Sequence, residues 1–172
     1  MLLNVAIGIM MTGGDRATAA TFAERAVALN PGSSNVWFGI GMVRLQSGEP
    51  QLAFDCFETS LRLNPLSPYR PVFLGMEGMA LFAQGRFADA IPLLRQSAEL
   101  APEWPFPTPV LAASYAHVGD TDAARSAIAR HRMVSPVEAR DTRWPESATE
   151  KLLIDGIAIA EGRAPMAGPS SG

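Results

Sequence analysis

"WFGIGMVRLQSGEP", Trp37 to Pro50, carries Gly39, Gly41 and Gly48 within ten residues. Glycines at that density either cradle a phosphate or do an architectural job. A dinucleotide-binding loop needs a preceding strand, a third glycine three residues after the second, and a helix that starts at the loop. Arg44 stands where the third glycine belongs, and the run from Trp37 on has helical spacing. Gly41 and Gly48 each return further along the chain, as Gly78 and Gly85, 37 residues on. Position-matched glycines inside helices fit close helix–helix approach, where a Cβ would clash. The run "GMEG", Gly75 to Gly78, reads the same way.

That recurrence extends over most of the chain. "VALNP" ends at Pro31, "LRLNP" at Pro65, "AELAP" at Pro102 and "RMVSP" at Pro136, at spacings of 34, 37 and 34. The turn glycines Gly14, Gly48, Gly85 and Gly119 show the same spacings. Two independent markers thus share one period and one three-residue insertion, the mark of a repeat architecture. Each unit reads as helix A, a glycine turn, and helix B stopped at a proline, which cannot continue a helix. In the second unit, helix A is expected over about 35–46 and helix B over about 50–63. Ala53, Phe57, Ser60, Leu61 and Asn64 share a face of that helix B. Ala90, Leu94, Ser97 and Ala98 do so in the third unit, and Ala124, Ile128 and Ala129 in the fourth. The insertion falls in "NPLSPYRP", where Pro71 suits the first turn of the next helix. "WPFPTP" does the same service before the fourth unit, with Thr108 as N-cap and Pro109 as first helical residue. Beyond Pro136, Ser147 and Glu150 have capping-box spacing. Leu152, Leu153, Gly156, Ile157 and Ala160 form an apolar stripe, and Gly162 ends it. This is read as a helix that closes the last repeat, whose apolar face needs a cover.

The unit resembles the tetratricopeptide repeat, whose pattern is Trp-x2-Leu-Gly-x2-Tyr, Ala-x3-Phe and Pro over 34 residues. The second unit has Trp37, Ile40, Gly41, Ala53, Phe57 and Pro65 in those places and departs at Arg44. The third has Gly78, Ala90 and Pro102, with Phe87 in the turn. The fourth has Leu111, Ala112, Tyr115, Ala124 and Pro136. The first keeps Gly14, Ala19 and Pro31. The resemblance implies an all-α, right-handed solenoid of about four helix-turn-helix units, 1–33, 34–67, 71–104 and 105–138. A capping helix over about 147–162 completes one domain, 1–163, and 164–172 is read as a flexible tail.

Composition and motifs narrow the function. Net charge is −3 and the sequence pI about 5.4, which argues against nucleic-acid binding. The apolar opening "MLLNVAIGIMMTGG" lacks a basic start and is too short to cross a bilayer. It suggests a piece of something longer. The single cysteine, Cys56, allows no intramolecular disulfide and suggests a reducing compartment. Cys56 lies between Phe54 and Phe57 and reads as a buried, inert thiol. His117 and His131 fall in different helices, and neither has metal-ligand spacing to carboxylates or Cys56. Asp120 and Asp122 suit a turn and a helix start, and "ARHRM" a helix end. No serine sits in a nucleophile-elbow pattern. The expectation is a non-enzyme with no cofactor and no metal.

In tetratricopeptide arrays the concave wall is lined by positions 2, 5, 9 and 12 of helix A. The resemblance therefore places Leu2, Val5 and Ile9 there from the first unit, and Asn35, Phe38, Met42 and Leu45 from the second. Val72, Gly75, Met79 and Phe82 follow from the third, and Phe106, Pro109, Ala113 and Ala116 from the fourth. Members that clamp a partner's C-terminal carboxylate use lysine, arginine and asparagine on this wall; here it is nearly all apolar. Three readings stay open: internal core, a face for a second copy or another domain, or a groove for an apolar or methionine-adapted peptide. The run "LRLNPLSP", the Gly-Glu-Pro turn and a closing helix after "RWP" also resemble the C-terminal repeat region of bacterial class III adenylate or guanylate cyclases. Similar regions follow winged-helix domains in bacterial regulators. Either parent implies a cytoplasmic, regulatory module that binds a protein or peptide, and a free-standing adaptor is the alternative.

Overall fold

A computed structural model describes residues 15–135 and 148–164. Among them are eight α-helices and no strand: α1 (Arg16–Leu29), α2 (Ser34–Gln46), α3 (Pro50–Leu63), α4 (Arg70–Ala83), α5 (Phe87–Leu100), α6 (Pro107–His117), α7 (Thr121–Val134) and α8 (Ala148–Ala160). Leu2, Val5, Ile9, Gly14, Pro136 and Ser147 lie outside the described residues.

Helices α2 and α3 form one hairpin, α4 and α5 the next, and α6 and α7 a third, while α1 is the second helix of the unit before. The turns between A and B helices share one geometry. Gly48, Gly85 and Gly119 have φ of +80°, +74° and +87°, a conformation that side chains with a Cβ avoid. Gly48 N–H donates to Leu45 O, Gly85 N–H to Phe82 O and Gly119 N–H to Ala116 O, which satisfies the last carbonyls of each A helix. Within each hairpin one alanine sits at the crossing. Ala53, Ala90 and Ala124 are each fully buried. Gly41 and Gly78 let the B helices come close to the A helices: a Cβ at Gly41 would meet the Phe57 ring at 2.4 Å, and one at Gly78 would meet Leu94 Cγ at 2.7 Å.

A polar tie recurs with the same period. Ser60 Oγ donates to Ser34 O at 2.8 Å, and Ser97 Oγ donates to Pro71 O at 2.6 Å. Each joins the end of a B helix to the first turn of its A helix. Both hydroxyls are in fully buried residues, so the bonds repay a desolvation that would otherwise cost about 1–3 kcal/mol each. His131 takes the equivalent place in the last unit and is also buried.

Three details differ from the sequence reading. Helix α6 starts at Pro107, because Phe106 already has αR backbone. Thr108 is therefore a buried helical residue, not an N-cap, and Pro109 sits two residues into the helix. Both prolines fall where no N–H is needed. Asn64 ends α3 as its exposed C-cap. In α7 the buried face runs through Ala127 rather than Ala129, which is exposed.

Consecutive A helices, α2 with α4 and α4 with α6, approach one another more closely than consecutive B helices do. The stack therefore curves with the A helices inside. Helix α8 packs on α6, and more lightly on α7 and α4, covering the inner side at the C-terminal end. A Cβ at Gly156 would lie 2.6 Å from Ala113 Cβ. His117 Nε2 donates to Leu152 O at 2.8 Å. Gly162, at φ +75°, ends the helix, with Arg163 N–H donating to Ala158 O.

Candidate functional site

Among the described residues no three His, Cys, Asp or Glu side chains are grouped as a metal site, and no helix is long and apolar enough to cross a membrane. Cys56 is buried, and burial pushes its thiol up to about 11. Such a thiol holds its proton at neutral pH and is a poor nucleophile. His117 stacks on Phe87 at 4.2 Å between centroids and donates to α8. These residues serve the packing.

The inner wall divides into two parts. Met79, Phe82, Ala113 and Ala116 are buried in one core with Leu153, Ile157 and Ala160 of α8. Leu45 belongs to that core too and is 5% exposed. Gly75 faces the Trp104 ring, 2.7 Å from an added Cβ. In the N-terminal part, Phe38, Met42 and Val72 are only half-buried, and Asn35 is exposed. Phe38 stacks on Phe73 at 4.5 Å and meets Phe57 at 5.5 Å, so its ring is held in place. The wall there is apolar and pre-shaped.

Two polar side chains interrupt the pattern on the other side of the A helices. Arg44 stands where the repeat takes tyrosine. Its Nη1 donates to Glu49 Oε2 at 2.7 Å and its Nη2 to Glu24 Oε1 at 2.6 Å. The bond to Glu49 raises the guanidinium pKa against a smaller burial effect, and Glu24 adds to it. Glu77 stands where the other units place Ile40 and Leu111, and is 7% exposed. Burial pushes its carboxyl from 4.5 up to about 7; Glu58 on α3 pushes the same way and Arg70 opposes. The sequence pattern contained the anomaly, a glutamate in an apolar slot, but not its enclosure.

Comparison with known proteins agrees with this architecture. The profile of the tetratricopeptide repeat matches residues 11–68 and 76–107. No curated protein matches the sequence significantly. Among solved structures, the chain is similar to the type IV pilus biogenesis factor PilW (21% identity, TM-score 0.73, 94% of this chain and 70% of that one). It is similar to MamA from Desulfovibrio magneticus RS-1 (13%, 0.70, 94% and 84%). It is also similar to YrrB, described as a TPR protein with an unusual peptide-binding site (19%, 0.66, 94% and 75%). At these identities the likeness is one of fold.

Proposed function

The chain belongs to the tetratricopeptide repeat family, and from that premise we propose that it is a non-catalytic interaction domain that docks a protein or peptide on the N-terminal half of its inner wall. The observation that carries this is the uneven cover of the wall. Met79, Phe82, Ala113 and Ala116 are buried in one core with residues of α8, while Phe38, Met42 and Val72, packed against that core, stay half-buried. An apolar surface held rigid by stacked rings offers burial at little ordering cost, which favours binding. A methionine adapts its shape to the incoming side chain. The repeat fold supports an adaptor role, and a peptide-binding relative such as YrrB is consistent with it.

The partner is a protein segment with apolar side chains: a second copy, another domain of the same polypeptide, or a separate protein. The cyclase-like features "LRLNPLSP", the Gly-Glu-Pro turn and the helix after "RWP" favour a bacterial signalling enzyme as parent, acting in the cytoplasm; a winged-helix regulator or a free-standing adaptor is the alternative. The reading frame before Met1 decides between them. The test of the wall is light scattering on the chain and on Met42→Glu over a range of concentrations. An oligomer that Met42→Glu dissolves supports docking between copies. An oligomer of unchanged mass overturns docking between copies, and so does a monomer in both cases.

A further inference from the structure

The splay of the B helices opens clefts on the outer side of the stack, and one of them is chemically distinct. It lies between α1, α2 and α3 and has a volume of about 470 Å³, within the range of ligand pockets. Val27, Trp37, Ile40 and Leu52 supply apolar lining, and Glu24, Arg44 and Asp55 supply charge. Trp37 is fixed by its indole N–H, which donates to Pro31 O at 2.8 Å. Leu52 is 47% exposed.

The molecule contains its own control. The cleft between α5, α6 and α7 is the same site two units on, with Thr108, Leu111 and Tyr115 in the places of Trp37, Ile40 and Arg44. It measures only about 240 Å³. Arg130 lines it and donates to Ala98 O at 3.0 Å. Its lining has no carboxylate. The first cleft is therefore not a general consequence of stacking. It is twice as large, and it carries two carboxylates on its lining.

Charge selects the occupant. The one guanidinium in the first cleft is already bonded to Glu24 and Glu49, so it has little to offer an incoming anion. Asp55 is exposed and receives a neutral donor, the Gln51 amide, at 3.0 Å. Glu24 has a side chain 64% exposed beside its bond to Arg44. A cation at the rim finds acceptors; an anion finds repulsion. We propose that this outer cleft is a second docking site, distinct from the inner wall, for a peptide segment that places an apolar side chain against Trp37, Ile40 and Leu52 and an adjacent lysine or arginine against Asp55 and Glu24. It does not depend on the inner wall being used.

The test is NMR titration of the full chain with two probes, acetyl-Gly-Leu-Lys-Leu-Lys-Gly-amide and its counterpart with glutamate for lysine. The lysine peptide should shift the Trp37 indole N–H and the Ile40 methyls saturably at millimolar concentration. The glutamate peptide should bind at least about tenfold more weakly, as should the lysine peptide to Asp55→Lys. The Met79 methyl, in the core, reports that the variant is folded. No shift at Trp37 and Ile40 overturns the site. Equal binding of both peptides, or unchanged affinity in folded Asp55→Lys, overturns the charge selection on which the proposal stands. A response of the inner-wall Met42 methyl in place of Trp37 overturns it too, and leaves the inner-wall reading intact.

Discussion

Glu77 makes the stability of this fold depend on pH in a direction opposite to that of a salt-bridged carboxylate. Its carboxyl is moved from 4.5 to about 7, first by burial, then by Glu58, against the pull of Arg70. The folded state thus favours the protonated acid. Its contribution is complete below pH 4.5, falls as pH rises from 4.5 to 7, and is gone above. At about 1.4 kcal/mol for each tenfold change in proton affinity, ionising Glu77 in the fold costs on the order of 3 kcal/mol. That is a large part of the stability of a domain this size. Glu77→Gln keeps the shape and removes the titration. Urea unfolding at pH 4.5 and pH 8 for both proteins should show near-equal stability at the lower pH. At the higher pH the variant should lead by about 2–3 kcal/mol, since other titrating groups are common to both. If the difference between the two proteins is the same at both values, Glu77 is not a buried, proton-holding group and the packing of α3 on α4 is misdrawn.

Two substitutions probe the close approaches. Gly41→Leu forces atoms into the Phe57 ring, 2.4 Å from an added Cβ, and should cost about 1–3 kcal/mol or more by overpacking. Chemical denaturation measures it, and a neutral result counts against the register of the second unit. Gly156→Val drives a branched side chain against Ala113, whose Cα is 2.7 Å from the added Cβ. It should detach α8 while the three hairpins persist, so amide exchange should rise in α8 first; uniform protection along the chain would refute this.

The sequence displayed the repeat clearly because its markers answer local needs. A proline stops a helix wherever it stands, and a glycine at φ near +80° is needed whatever surrounds it. So α3 spans Pro50–Leu63, the limits read from the sequence. Where several prolines offer equivalent starts, as in "WPFPTP", local chemistry does not choose, and Phe106 in αR settled the start of α6 two residues early. The inner wall was harder still. Phe38, Met42, Met79 and Phe82 fall on the same face of their A helices and share an apolar character, so periodicity assigns them one role. What separates them is how far the neighbouring helices cover each one, a tertiary fact without a sequence period. Arg44 was visible as a departure from the pattern, but its partner Glu24 lies on another helix; Glu77 was not singled out, and Glu58, the charge that acts on it, lies on another helix too.

The central claim is that the inner wall is closed at one end and available at the other. The most direct measurement is the solvent accessibility of the methionine methyls, read by NMR with a soluble paramagnetic agent. Met133, 86% exposed, and Met79, 1% exposed, set the two limits. The account predicts that the Met42 methyl is broadened to a degree between them, well apart from Met79. A Met42 methyl as protected as that of Met79 would contradict it, because the wall would then be core along its whole length.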